Sequence, residues 1–439
     1  MPYRNIRLHP LLRLIYFLLR VLGWFGITVF FRRRLVLGAE NYRFDGPAIV
    51  VPNHPSTLMD VFNPGMPVRQ EMFFLANYGL FKHPVSNWLL TRLFCIPVKR
   101  REDVEAGEER NNAAAFKQSF QHLEKNGVLF IAAEGTSWMH RWVRDFKTGT
   151  ARIAFGAESR NNWNLGVKII PIGLTYDAPH LFRSQVVVHC GQPIWPRDWA
   201  EAWQQNPERA VQDFTNELQR RVAALTVHTR DEKGEKFIGR LEEILKNEHP
   251  NALKANFFKL KHLAETRLDD TALNAQVKHY FRRLSATRLS DLGVRAWVSP
   301  NRGWLTFADT FLLVAGWVPY MVGYAFWFLP CYLPWLLNKK LDLYIGYSST
   351  VKMLAGLITF PLALWAAYRF VPTWLGWASG QWALPLLLVA LGFFVERYTD
   401  VARRAWERFK AGRYATAKPE KFETLTVLRR DILTTVTEA

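Results

Sequence analysis

Cysteine is scarce in this 439-residue chain: Cys95, Cys190 and Cys331 stand far apart and odd in number. Their spacing offers no zinc ligand set and no disulfide framework, so neither is expected. Cys95 and Cys190 each fall in an apolar, strand-like run, where an inert buried thiol is a better reading than a nucleophile. The glycines make neither a dinucleotide fingerprint nor a phosphate loop. No internal repeat and no low-complexity linker interrupts the chain. Acidic residues are few, 38 against 57 Lys and Arg, which leaves a formal net charge of +19. Such a charge suggests nucleic acid first, yet no zinc spacing, RNP-like run or compact basic recognition helix accompanies it, and no nucleic-acid partner is expected.

Aromatic residues are abundant instead, with 18 Trp and 31 Phe. Cations beside aromatic and apolar segments suit an anionic membrane surface. Leu11 to Phe31 is the first such segment, and Arg13 and Arg20, seven positions apart, share one helical face. It is expected to lie in the interface as an amphipathic helix, or to be a tilted anchor with snorkelling arginines. Its broken apolar core and the lack of a small-residue cleavage site make it a poor signal peptide. Arg32-Arg33-Arg34 would hold this end on the cytoplasmic side. Further on, Trp304 to Leu337 is apolar but carries Pro319, Pro330 and Pro334, predicting a bent or re-entrant helix pair. After Lys339-Lys340, Met353 to Val371 and Trp382 to Val395 predict a spanning hairpin joined by Pro372 to Gln381 and followed by Arg397, Arg403 and Arg404. From Trp199 to Val298, helical spacing such as Phe214-Leu218-Val222-Leu225 and Phe237-Leu241-Ile244-Leu245 predicts connecting helices with solvated charged faces.

The chemistry-bearing stretch is Asn53-His54-Pro55-Ser56-Thr57-Leu58-Met59-Asp60, directly after the apolar run Ala48-Ile49-Val50-Val51. A neutral imidazole can take a proton from a hydroxyl, and a nearby carboxylate can fix its tautomer. In an unbroken helix a separation of six positions turns through about 600°, so His54 and Asp60 would face apart. They meet only if a helix starts between them, and Pro55 suits the first helical position. Taken alone, the stretch reads more readily as a loop that follows a strand, since Asn and Pro are common turn residues. Other blocks keep it company. Phe94-Cys95-Ile96-Pro97-Val98-Lys99-Arg100 is a strand-like run ending in two cations, a candidate anion seat. Val128 to Ala133 has buried-strand length and stops at Glu134-Gly135-Thr136-Ser137, where a glycine lets the backbone approach a ligand. Phe146 to Ala154 reads as a loop lysine, Lys147, entering a helix, and Lys168 to Gly173 as another strand. Strand ends of this kind gather on one edge of an α/β sheet.

In this order, the blocks resemble the glycerolipid acyltransferase family, the 1-acylglycerol-3-phosphate and glycerol-3-phosphate O-acyltransferases. Its first motif matches Asn53, His54 and Asp60; its second, Ile96-Pro97-Val98-Lys99-Arg100; its third, Glu134-Gly135-Thr136 with Ala133 in place of proline; its fourth, Ile170-Pro171-Ile172. The resemblance covers about Arg34 to Pro196. Two features depart from it. Five residues, Pro55 to Met59, separate histidine from aspartate where four are commoner, a longer spacing similar to that of fungal glycerol-3-phosphate acyltransferases and some bacterial relatives. Ser137 stands where arginine often follows Glu-Gly-Thr, so Arg141, Arg144 or Lys147 would have to supply the cation.

The resemblance implies an α/β fold, a mixed sheet flanked by helices, followed by a helical connector and C-terminal transmembrane helices. Expected boundaries are a membrane-associated helix over 1–34, the catalytic domain over 35–197, the connector over 198–300, membrane-spanning or re-entrant helices over 301–398 and a basic cytoplasmic tail over 399–439. It further implies His54 as general base with Asp60 orienting it. Asn53, Lys99, Arg100, Glu134, Gly135, Thr136 and Lys147 would contact substrate. Arg100, with Lys99, would hold an acceptor phosphate in a bidentate fork. Glu134 would bind glycerol hydroxyls or brace the loop near His54, and Lys147 would neutralise a phosphate of acceptor or carrier. The plainer alternatives are a solvated strand end leading to Glu102-Asp103, a surface carboxylate at a turn and a surface lysine. No cofactor or metal is implied; acyl-CoA or acyl carrier protein would be the donor substrate. Expected partners are membrane lipids and a glycerol-phosphate or lysophospholipid acceptor, in a bacterial inner membrane with the catalytic domain cytoplasmic. Two rival readings are an enzyme for another lysolipid or aminolipid acceptor, and a non-catalytic membrane adaptor binding anionic lipid.

Overall fold

The computed structural model describes residues 10–68, 70–92, 94–100, 103, 111–376 and 381–438. Glu102, residues 377–380 of the 372–381 connection and the first nine residues of the expected N-terminal segment lie outside them. The chain forms two compact units, Met1–His228 with Leu343–Met353, and Thr229–Asp342 with Leu354–Ala439.

The first unit opens with α1 (Pro10–Phe30) and β1 (Arg33–Leu37), then β2 (Ala48–Pro52), α2 (Met59–Gly65), β3 (Met72–Asn77), α3 (Pro84–Arg92) and β4 (Cys95–Val98). It continues through α4 (Ala113–Glu124), β5 (Val128–Phe130), α5 (Gly149–Arg160), β6 (Lys168–Tyr176), β7 (Gln185–Cys190), α6 (Ala200–Gln205) and α7 (Pro207–Ala223). The strands form one seven-stranded sheet in the order β1-β7-β6-β2-β5-β3-β4. From β6 to β4 neighbouring strands run parallel, whereas β7 is antiparallel to β6 and β1 parallel to β7, so the sheet is mixed. Ala48, Ile49, Val50 and Val51 are completely buried, as a central parallel strand covered on both faces requires. The apolar run from Val128 is a shorter strand than its length suggests, since pairing ends at Phe130 and Ile131 donates only one further bond, to Val50.

Helix α7 belongs to this unit and not to a connector. Val211, Phe214, Leu218 and Val222 recur at helical spacing and are buried in the same core as Phe155 of α5 and Ile169 of β6. The first compact unit therefore runs past 197 to His228. Helix α1 also differs from expectation, because its arginines do not snorkel. Arg13 lies 3.5 Å from Glu71, Arg20 donates to the Met66 carbonyl at 2.9 Å, and between them the Tyr16 hydroxyl accepts from Met72 N at 3.1 Å. These positions form one stripe with Gly23, where an added Cβ would meet the Phe62 ring at 2.9 Å. Leu14, Phe17, Leu18 and Val21 remain exposed outside that stripe.

The second unit is helical: α8 (Glu232–Glu248), α9 (Leu253–Thr266), α10 (Thr271–Thr287), α11 (Asp291–Val298), α12 (Arg302–Ala315), α13 (Trp317–Leu341), the greater part of α14 (Ser348–Leu375), α15 (Ala383–Ala417) and α16 (Pro419–Glu438). Phe237, Leu241, Ile244 and Leu245 are its buried stripe on α8. The expected tail is no separate segment: α15 continues unbroken through position 399, and Val401, Ala411, Phe422, Leu425 and Ile432 are buried with the α8 to α11 helices. Arg429 ties the two stretches together through Asp291 at 2.8 Å and Glu248 at 2.7 Å. Arg404 and Arg408 likewise bind Asp309 of α12 at 2.6 and 2.9 Å, so Arg404 is a structural cation and no simple membrane flank.

The proline-rich stretch forms a pair of helices, as expected, but its prolines do not mark the break. Helix α13 runs straight through Pro330 and Pro334, Pro319 lies in its first turn where its missing N–H costs nothing, and the break falls at Gly316. Among the described residues three helical segments are long and apolar enough to cross a membrane: Pro10–Phe30, Trp317–Leu341 and Ile345–Trp374. The second of these lies in the stretch expected to be bent or re-entrant, while the Trp382–Val395 arm of the expected hairpin is not among them.

Candidate active site

Strand β2 delivers Asn53 and His54 to the edge of the sheet where the parallel strands end. Asn53 is buried, and its amide pairs twice with Leu174 of the neighbouring strand, Nδ2 donating to the carbonyl at 3.0 Å and Oδ1 accepting from the amide at 2.7 Å. That engagement makes it a clamp between β2 and β6, in place of the expected substrate contact. The chain then turns before α2 begins. Pro55 is not the first helical residue: the helix starts at Met59, because Thr57 takes the left-handed conformation at φ 46° and no helix can run through it. The late start places Asp60 in the first helical turn, directed back at His54.

His54 Nδ1 lies 3.0 Å from Asp60 Oδ2. The same oxygen accepts from Ser56 N at 2.5 Å, and Oδ1 accepts from the Tyr176 hydroxyl at 2.8 Å. An ionised Asp60 only accepts, which makes Nδ1 the donor, and the neutral imidazole of that tautomer carries its lone pair on Nε2. The Asp60 side chain is 0% exposed and that of His54 16%. Burial raises the pKa of Asp60, opposed by the bonds from His54, Ser56 and Tyr176. Tyr176 is raised well above the usual phenol range by burial beside Asp60, so it stays a donor. Behind it, Asn63 donates to the Tyr176 oxygen at 3.3 Å, and Arg34 donates to the Asn63 carbonyl at 2.6 Å. Arg34 thus supports the site's second layer and is not a free cytoplasmic flank.

The segment after β5 packs against the same loop. Glu134 is buried; its Oε1 accepts from His54 N at 2.8 Å and its Oε2 from Arg144 N at 3.3 Å. Of its two expected jobs, bracing the His54 loop is the one this geometry performs, and a surface carboxylate it is not. Burial pushes its pKa up to about 7 against the pull of those two amides. Ser137 Oγ accepts from Thr57 N at 3.1 Å, and Trp138 N donates to the His54 carbonyl at 3.0 Å. Gly135 turns at φ +78°, and the Lys147 stem passes over it, 3.5 Å from where a Cβ would stand, which places Lys147 along the Glu134-Gly135 turn with Thr136 beside it. The Arg144 guanidinium lies over the Trp138 ring at 5.2 Å.

Lys99 and Arg100 reach the same sheet edge but not the same place. Their strand, β4, is separated from β2 by β5 and β3, three inter-strand steps or about 14 Å. Lys99 Nζ lies 5.1 Å from the Tyr78 ring centroid, and Arg100 N donates to Asp103 at 2.9 Å. Cys95 and Cys190 are free thiols that burial pushes up to about 11 and 12, far from a reactive thiolate at neutral pH. Tyr176, Asn63 and Arg34 were not expected at the site, and Ser137, expected at the substrate turn, instead holds the Thr57 amide. For the first three the only sequence signal is position, as with Tyr176 at the end of β6.

Residues 33–175 match the family model described as Acyltransferase. This stretch is an acyltransferase-family domain. The chain is similar to Glycerol-3-phosphate O-acyltransferase 1 of Saccharomyces cerevisiae, 31% identical over 124 residues that cover 28% of this chain and 16% of that protein. It is also similar to the chloroplastic 1-acyl-sn-glycerol-3-phosphate acyltransferase BAT2 of Brassica napus, 27% identical over 153 residues, 34% of this chain and 40% of the relative. The chain thus spans less than half the length of these relatives. A crystal structure of the 1-acyl-sn-glycerophosphate acyltransferase PlsC of Thermotoga maritima covers 47% of this chain and 81% of its own, at 22% identity and a TM-score of 0.34. The acyltransferase domain contains His54, Asp60, Lys99, Arg100, Glu134 and Lys147 within its matched bounds.

Proposed function

We propose that this chain is a membrane-bound O-acyltransferase that moves a fatty acyl group from a thioester donor, acyl-CoA or acyl carrier protein, to a hydroxyl of glycerol 3-phosphate or lysophosphatidate. The observation that carries it is the 3.0 Å contact between His54 Nδ1 and the fully buried Asp60, which leaves Nε2 as an acceptor at the sheet edge. The acceptor hydroxyl gives its proton to Nε2 as its oxygen adds to the thioester carbonyl. The tetrahedral adduct then collapses to the ester, expelling a thiolate that takes the proton back from the imidazolium. Asp60 holds the imidazole in the required tautomer and stabilises its charged form. Base assistance of this kind contributes about 10²–10⁴-fold, and the rest falls to positioning and oxyanion stabilisation. Lys147, along the Glu134-Gly135 turn, is our candidate for neutralising a phosphate, and we place the catalytic unit on the cytoplasmic face of a bacterial inner membrane.

The test is to incubate the detergent-solubilised chain and His54→Ala with a long-chain acyl-CoA or acyl carrier protein and glycerol 3-phosphate, lysophosphatidate or a neutral lysolipid, following products by mass spectrometry. The expected result is one acylated phosphate acceptor, lost in the variant. Equal product from both proteins would remove His54 as the base.

The position of Lys99 and Arg100, three strand steps from β2, favours a second reading in which the acceptor is another lysolipid or an aminolipid whose recognition does not need them. Arg100→Ala separates the two. A raised KM for a phosphate acceptor supports the first, and unchanged kinetics with a neutral acceptor supports the second.

A further inference from the structure

The turn that joins His54 to Asp60 is held from outside the acyltransferase domain. Ser56 Oγ lies 2.9 Å from Ser349 Oγ, both buried. Thr57 Oγ1 donates to the Gly346 carbonyl at 3.2 Å and lies 2.6 Å from Thr350 Oγ1, which accepts from Leu58 N at 3.3 Å. One arrangement of protons satisfies every contact: Leu58 N–H to Thr350, Thr350 O–H to Thr57, Thr57 O–H to the Gly346 carbonyl. Three successive residues of the turn are therefore tied to one segment about 290 positions away, part of the same compact unit. The segment is anchored a second time on the loop that braces His54. The Tyr344 hydroxyl accepts from Met139 N at 2.8 Å, and the Tyr344 ring stacks on Trp138 with centroids 6.1 Å apart. Trp138 N is itself bonded to the His54 carbonyl.

The turn needs such support. Thr57 is β-branched and sits at φ 46°, a conformation that such residues hold only where their surroundings impose it. Its own amide is taken by Ser137 and its hydroxyl by Gly346 and Thr350. If residues 56–58 relax, Ser56 N leaves Asp60 Oδ2 and the helix start that aims Asp60 at His54 is free to move.

We propose that Tyr344–Thr350 is a positioning strap, with Ser349 and Thr350 holding the Ser56-Thr57-Leu58 turn so that Asp60 stays registered on the His54 imidazole. This rests on the reading of His54 as the base. Ser349 and Thr350 touch no reacting atom; they act through the turn. They also lie in the first turn of α14, whose apolar length is sufficient to cross a membrane, so the alignment of the site depends on a helix outside the family domain.

The experiment compares the full chain with Thr350→Ala, Ser349→Ala and the conservative Thr350→Ser, by steady-state kinetics and by amide hydrogen–deuterium exchange. In Thr350→Ala, exchange at residues 56–58 should rise at least tenfold while β2 is unchanged. Its kcat should fall at least tenfold with KM for the acceptor within twofold, and Thr350→Ser should restore both. Unchanged exchange at 56–58 in Thr350→Ala and Ser349→Ala would overturn the strap, as would faster exchange with intact kcat. Raised exchange in a chain whose wild type turns over no acceptor would leave the strap standing and sink the acyl-transfer reading instead.

Discussion

Asp60 and Glu134 are two buried carboxyls within one loop system, and they answer to different partners. Asp60 binds the imidazole of His54, whereas Glu134 binds its backbone N–H. Asp60→Asn keeps the volume but offers an amide N–H₂ that can face Nδ1 and favour the wrong tautomer; kcat is expected to fall by about 10²–10⁴ with acceptor KM little changed. A large KM rise with intact kcat would place Asp60 in binding instead. Glu134 has a pH signature. Its carboxyl moves from 4.5 to about 7 on burial, so the folded chain takes up a proton between those values. The stability it supports is full below pH 4.5 and is lost as pH rises through about 7, some ~3 kcal/mol in all. Thermal melting of the solubilised protein from pH 4.5 to 8 should show that decline, and Glu134→Gln should flatten most of it, with Asp60 contributing the same sign. Parallel declines in both proteins would mean that Glu134 is not the group responsible.

At the level of elements, Asn53 links the two strands that flank the site. Removing its amide in Asn53→Ala leaves the buried N–H and carbonyl of Leu174 without those partners, a cost of about 2–4 kcal/mol. Chemical or thermal denaturation should show the loss, and the residual activity should keep its acceptor KM. Unchanged stability with a raised KM would return Asn53 to the substrate. This residue also shows what the sequence could and could not carry. The meeting of His54 and Asp60 was legible, because a six-residue separation closes only if a helix starts between them. Where it starts was not, since Pro55 satisfies the first helical position locally while the turn at Thr57 is imposed by Ser137, Gly346 and Thr350. Tyr176 was equally hidden: its bond to Asp60 joins positions 116 apart, and nothing local marks it. Helices α7 and α8 were visible by their periodicity, but which unit each would join depends on the surface it meets.

For the whole molecule, the apolar helices separate two possible environments for the same exposed side chains. Helix α13 has 25 residues, a rise of about 37 Å against a hydrocarbon core of about 30 Å. Phe328, Leu329, Tyr332 and Leu333 are exposed on the chain's own surface, and so is Cys331 near the middle of the helix. Pro330 and Pro334 do not break it, because a proline in a long apolar helix loses one backbone bond that neighbouring groups can re-satisfy, and here Thr359 donates to the Pro330 carbonyl at 3.0 Å. Protection of Cys331 must therefore come from what surrounds the chain. With α13 in a bilayer, a charged maleimide applied to intact membranes should label Cys331 at least about tenfold more slowly than a cysteine introduced by Leu341→Cys at the helix end, because the thiolate that reacts is excluded from hydrocarbon. Unfolding the sample in sodium dodecyl sulfate should bring the two rates together. Equal rates in intact membranes would place Cys331 and its face of α13 in water, against a bilayer around this helix.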